Sequence, residues 1–216
     1  MGSREEILAE IRRRQARGGA LPSAAEREEL QTYLRAHPRG PVPQVGGDLA
    51  ARFRARAGAS ASTCDRVAAM SDAPAAVARY LEAHRLPKSG CVWPRLAGLD
   101  WNAAGLELKP RAAKGEDMVG VTGVFCALAE TGTLAMVSDP DTPASVSLLP
   151  ETHVALVPLA RLVPNMEDAW DLMRAELGRL PRAVNYISGP SRTADIEQTL
   201  VLGAHGPYRV HIVLVG

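Results

Sequence analysis

From about Ser60 onward the chain alternates short β-rich apolar runs with amphipathic stretches of helical period, and this pattern most narrows what it can fold into. Thr63 to Met70 reads as a strand, and Asp72 to His84 as a helix with Pro74 in its first turn. Gly90 to Trp93 reads as a short buried strand, residues 94–117 as irregular, and Ala127 to Val137 as two strand pieces interrupted at Glu130-Thr131-Gly132. Val154 to Pro158 is a further strand, and Asn165 caps a helix that runs to Leu177. Ala183 to Ile187 and Val210 to Val215 are apolar runs of the kind buried on both faces of a sheet. Strands separated by helices of this length predict an α/β fold with a mainly parallel sheet flanked by helices.

The first 58 residues have a different texture. Ser3-Arg4-Glu5-Glu6 and Ser23-Ala24-Ala25-Glu26 both have capping-box form, with a hydroxyl three residues before a glutamate. Gly18-Gly19 ends the first helix and His37-Pro38 the second, and an Arg-rich helix carrying Leu49 and Phe53 follows a Pro/Gly loop. The apolar stripes are narrow, so residues 1–58 are expected to form a helical arm and residues 59–216 the α/β domain.

Net charge is +1, which supplies no global field for nucleic acid or for an anionic membrane. Residues 1–60 nevertheless hold 11 Arg against 6 Glu and 1 Asp, a surplus that reads either as solvated helix faces or as a docking surface for an acidic partner. Cys64, Cys91 and Cys126 are widely spaced with no CxxC, which makes neither a disulfide framework nor a cluster-ligand run. The five histidines never reach HxH or HxxxH spacing, so no metal site is expected. With no signal peptide and no apolar stretch of spanning length, the chain reads as cytoplasmic.

Two loops following apolar strands carry the residues suited to chemistry, and in open α/β sheets ligands bind at the carboxyl ends of strands. The first is Glu130-Thr131-Gly132-Thr133. A carboxylate inside the apolar stretch from Val124 to Val137 needs a partner or takes a raised pKa. Glu130 is therefore a candidate general base, nucleophile or acceptor for a ligand hydroxyl, or a structural carboxylate closing a tight turn. The second is Ser188-Gly189-Pro190-Ser191-Arg192-Thr193-Ala194-Asp195. Its hydroxyls, close-approach glycine and guanidinium suit a small carboxylate or phosphate near a helix N-terminus, while an N-cap and loop staple is the plainer alternative. His205 stands in a turn before the last strand.

These motifs resemble the lactate-utilization (LUD) family, and most of all its lactate utilization protein C branch. The resemblance is carried by Gly120-Val121-Thr122-Gly123, by Ala127 to Leu134, by Ser147-Leu148-Leu149-Pro150-Glu151-Thr152-His153, by Ser188 to Glu197 and by Gly203 to Pro207. It is close over 120–216 and general before that. One departure is Pro143-Ala144-Ser145-Val146, where many relatives carry a basic residue. The resemblance implies a fold akin to glucosamine-phosphate deaminase, ribose-phosphate isomerase and the CoA transferases. It also implies a role in oxidising L-lactate to pyruvate beside iron–sulfur partner proteins that hold the redox centres, with no cofactor in this chain.

Two functions follow as expectations. The first is a non-redox component of that system, binding a small carboxylate or phosphate through Thr131, Gly132, Thr133, Ser188, Gly189, Ser191, Arg192, Thr193, Asp195 and His205. The second is a stand-alone enzyme acting on a phosphorylated sugar or CoA-type anion, with Glu130 as nucleophile or base.

Overall fold

The computed structural model describes residues 3–15, 21–193 and 201–216, and it divides them into two units, 1–41 and 42–216. In the first unit lie α1 (Ser3–Arg14) and α2 (Ala24–Ala36), neither of which buries a residue. The Ser23 capping box forms, its hydroxyl accepting from the Glu26 amide and the Glu26 carboxylate accepting from the Ser23 amide. Ser3 is instead the first helical residue of α1, and Gly18-Gly19 falls outside the described residues.

The second unit runs α3 (Leu49–Ala59), β1 (Thr63–Val67), α4 (Ala73–Ala83), β2 (Ser89–Val92), β3 (Glu107–Pro110), β4 (Val119–Thr122), β5 (Cys126–Leu128) and β6 (Thr133–Val137). It continues with α5 (Ser145–Leu148), β7 (Thr152–Pro158), β8 (Leu162–Val163), α6 (Met166–Leu177), β9 (Val184–Ile187), β10 (Arg192–Thr193), β11 (Val201–Leu202) and β12 (Arg209–Val215). The main sheet has the order β1-β12-β7-β4-β2-β3, every pair parallel. Residues 94–117, read from sequence as irregular, contain β3, whose four residues are mostly exposed and too short to show a period. The motif at Gly120 is a central strand buried on both faces.

One face of the parallel sheet packs on α4, where Ala76, Val77, Tyr80 and Leu81 meet Val121, Val154, Leu156 and Val213. The opposite face is covered differently from the expectation of helices alone. A second sheet, ordered β8-β5-β6-β9 with an antiparallel β5–β6 hairpin, lies there beside α3. Ala127, Ala129, Leu134 and Met136 of that sheet join Phe53 and Ala57 of α3 against Ala155, Val157, Ile212 and Leu214. The hairpin's outer face is covered in turn by α6 through Ala169 and Met173.

The arm expected over 1–58 therefore does not reach that far as a separate piece. The α/β unit begins at Val42, and α3 belongs to it because Phe53 and Ala57 are completely buried. Two residues at helical spacing were too narrow a stripe to distinguish a core helix from a surface one. Asp48 caps α3 by accepting from the Ala50 and Ala51 amides.

Truncating a buried aromatic costs about 3–5 kcal/mol, whereas an exposed surface position costs within about 0.5 kcal/mol. Urea unfolding is expected to show Phe53→Ala destabilised on the first scale and Leu30→Ala, on α2, on the second. Equal effects would mean that α3 is not part of the core.

Candidate functional site

Both candidate loops converge on the C-terminal end of α3. Gly132 (φ +70°) turns the β5–β6 hairpin against the backbone of Arg56 and Ala57, and a Cβ there would overlap both. Gly189 (φ +82°) passes over the Ser60 carbonyl with the same consequence. Positive φ and backbone contact together leave room only for glycine at these two positions.

The convergence is closed by hydroxyls. Thr131 Oγ1 and Thr133 Oγ1 lie 2.7 Å apart, and Thr133 Oγ1 and Ser188 Oγ 2.6 Å apart. Thr133 is buried, whereas Thr131 and Ser188, at the two ends of the chain of hydroxyls, are exposed. Three hydroxyls that make two mutual hydrogen bonds retain one O–H free to donate outward. Glu130, the residue before Thr131, is half-buried, with its backbone N–H held by the Pro164 carbonyl at 2.9 Å. Its carboxylate makes no hydrogen bond or ion pair among the described residues, so it is not closing the turn.

The second loop extends this surface and is held by two sets of backbone hydrogen bonds. Ser191 exchanges backbone hydrogen bonds with the stretch before the last strand, its N–H donating to Pro207 and its carbonyl accepting from Gly203, both at 2.9 Å. Arg192 and Thr193 then pair antiparallel with Leu202 and Val201 in a short ladder, and the following residues, where a helix could open, lie outside the described residues. β-branched Thr193 and Val201 favour that ladder. Arg192 is exposed and Thr193 buried, and His205 is exposed in the turn. Asp195, with Ala194, Ile196 and Glu197, lies outside the described residues.

The expected location at the carboxyl ends of the strands is also corrected for the main sheet. α3 ends just before β1, and Pro207 just precedes β12, so the loops gather at the amino edge of the parallel sheet. The β5–β6 hairpin explains why: it starts beside the carboxyl end of β4 and delivers its turn to the opposite edge.

The motif residues not placed in the site from sequence tie together the central strands of the main sheet. Gly120 lets α5 approach, because a Cβ there would overlap the Val146 carbonyl and Pro150. Thr122 Oγ1 and His153 Nε2 are hydrogen-bonded at 2.8 Å, which ties β4 to β7. His153 is completely buried, burial pushes its pKa down to about 4, and its Nδ1 has no partner. By the ladder register, His153 lies opposite Val210 and Gly120, with Ser62, whose buried hydroxyl is also unpartnered, one strand further on. The signal for these residues was present in the Gly120–Gly123 and Ser147–His153 runs, but their partnership spans 31 positions.

With this geometry in view, the profile of the LUD domain matches residues 95–215. The chain belongs to the LUD domain family. Among its relatives is lactate utilization protein C of Bacillus subtilis, 45% identical over 100 residues, which are 45% of this chain and 42% of that one. The protein of the same name from Bacillus licheniformis is 39% identical over 129 residues, covering 57% of this chain and 53% of the relative. The chain thus spans about half the length of the curated relatives it matches. The crystal structure of a DUF162 family protein from Deinococcus radiodurans shares the fold, with a TM-score of 0.59 and 22% identity over 82% of this chain and 100% of that one. No helix among the described residues is long and apolar enough to cross a membrane.

His153 and the buried His211, which stacks on Tyr80 and meets Thr63 Oγ1 at 2.8 Å, are both held neutral by burial, with pKa values of about 4. The unfolded chain protonates these rings near pH 6.5, so below that pH it binds more protons than the folded chain. Stability is therefore complete above about pH 6.5 and is lost as pH falls toward 4, on the order of 2 kcal/mol per ring by pH 5. Melting curves between pH 7 and 4.5 should show this fall, with a shallower slope in His153→Gln. An equal slope in that variant would show that His153 is not held neutral.

Proposed function

We propose that this chain is a non-redox component of a system that oxidises L-lactate to pyruvate, and that its hydroxyl-lined site binds a small 2-hydroxy or 2-oxo acid. The observation that supports the reading most is the half-buried Glu130 carboxylate left without a partner, one residue before Thr131 in the Thr131–Thr133–Ser188 chain of hydroxyls. A carboxylate kept in that state is available to accept a ligand hydroxyl, while the free O–H of the hydroxyl chain donates to the ligand carboxylate. Arg192, exposed one residue beyond Ser191, supplies the long-range attraction for such an anion.

The family and the names of the relatives support the lactate assignment. The electrons of the oxidation would pass to iron–sulfur partner proteins, because the cysteines here suit no cluster. Cys64, Cys91 and Cys126 are widely spaced with no CxxC run, and Cys91 and Cys126 are buried in separate core layers. A cytoplasmic location agrees with partners of that kind.

Titration calorimetry with L-lactate and pyruvate tests the site. One hydrogen bond to a ligand is worth about 1–1.5 kcal/mol, so Glu130→Gln is expected to weaken L-lactate binding about tenfold without weakening pyruvate binding, and Thr133→Val to weaken both about tenfold. Anaerobic co-purification from lactate-grown cells is expected to recover cluster-bearing proteins with the chain. Lactate oxidation by the isolated chain would overturn the non-redox assignment.

A further inference from the structure

The strand order contains a switch point away from the site above. From β2 the chain steps outward to β3, then returns past β2 to β4 and proceeds through β7 to β12. The carboxyl ends of β2 and β4 therefore face a crevice where the winding reverses, the position at which open α/β sheets bind ligands. A groove of 360 Å³ opens there, with Trp93 following β2 and Val124 and Phe125 following β4. It continues through Val137, Asp139 and Leu177 into a cleft of 680 Å³ ending at Arg179, Leu180 and Arg182. Both volumes lie in the range of small-molecule sites.

The charges along this path are unequally spent. Arg161 is neutralised by a two-pronged pair with Glu176 at 2.8 and 2.9 Å, and its Nε–H donates to the Phe125 carbonyl at 2.6 Å. Arg95 pairs with Asp139 at 2.7 Å. Those two pairs use both carboxylates of the lining, whereas Arg179 and Arg182 have no ion pair among the described residues. The C-terminal carbonyls of α6 carry about half a negative charge, less than either guanidinium, so the outer end stays cationic. A monoanion would satisfy one of the two arginines; a group with two charges satisfies both. At the inner end the Arg95–Asp139 and Arg161–Glu176 pairs line the groove over the buried Trp93 and Phe125, Arg161 lying across the Phe125 ring at 4.8 Å and the Trp93 indole N–H donating to the Pro143 carbonyl at 3.1 Å.

We propose that this switch-point groove is a second ligand site, taking a diphosphate-bearing small molecule whose anionic group lies against Arg179 and Arg182 and whose body runs toward Trp93 and Phe125. It stands at the base of the β5–β6 hairpin, whose turn carries Glu130, so the two sites occupy opposite ends of one element.

The test is calorimetric titration of the full chain with ADP and with inorganic pyrophosphate, repeated on Arg179→Ala/Arg182→Ala. Both arginines are exposed, so the double variant is expected to keep the wild-type melting temperature. ADP is expected to bind saturably and more tightly than pyrophosphate, with both weakened at least tenfold in the double variant. Absence of saturable binding, or equal affinity in the double variant, would overturn the site. Pyrophosphate binding as tightly as ADP would overturn the placement of the ligand body in the inner groove.

Discussion

The close approach of the end of α3 to two glycines organises the amino edge of this domain. Gly132 and Gly189 lie 57 positions apart in sequence, yet both meet backbone between Arg56 and Ser60. A side chain at either would force α3 away from the second sheet and open the layer in which Phe53 and Ala57 are buried. Thr133 meets Ser188 because the two lie opposite one another at the end of the β6–β9 ladder, and the glycine contacts seat that end on α3. Stability and site assembly are coupled through backbone packing.

The β5–β6 hairpin is the second organising element. Its inner face packs on the parallel sheet and its outer face on α6, so it is fixed from both sides. An element held in that way positions its ends rigidly, which suits a site at each end. The Thr122–His153 bond and the seat of α5 on Gly120 hold the strands beneath it. The two motifs around those residues therefore form one structural unit.

Much of the fold was legible in the residues. The runs at Thr63, Gly90, Val154, Ala183 and Val210 became strands, and Asn165 caps α6 by accepting from the Asp168 amide. Such features depend on local sequence alone. β3 was hidden because its residues are exposed and show no alternation. The role of α3 was hidden because Phe53 and Ala57 show their burial only when the second sheet arrives over them. Glu130, Thr131, Thr133 and Ser188 were singled out by residue type, and the structure links the three hydroxyls. The pairing of Arg192 and Thr193 with Leu202 and Val201 could not be read locally, because the partners are about ten positions apart.

By itself the sequence determined the α/β class, the succession of elements and the identity of the chemically suited residues, because periodicity, caps and turn residues act over a few positions. Only the tertiary structure decided which edge of the sheet the loops reach, that Glu130 stays without a partner, and that a groove forms where β2 and β4 part. Those outcomes depend on strand order and on contacts between residues tens of positions apart. Such contacts are chosen by how whole layers bury their apolar faces, which no local stretch of sequence encodes.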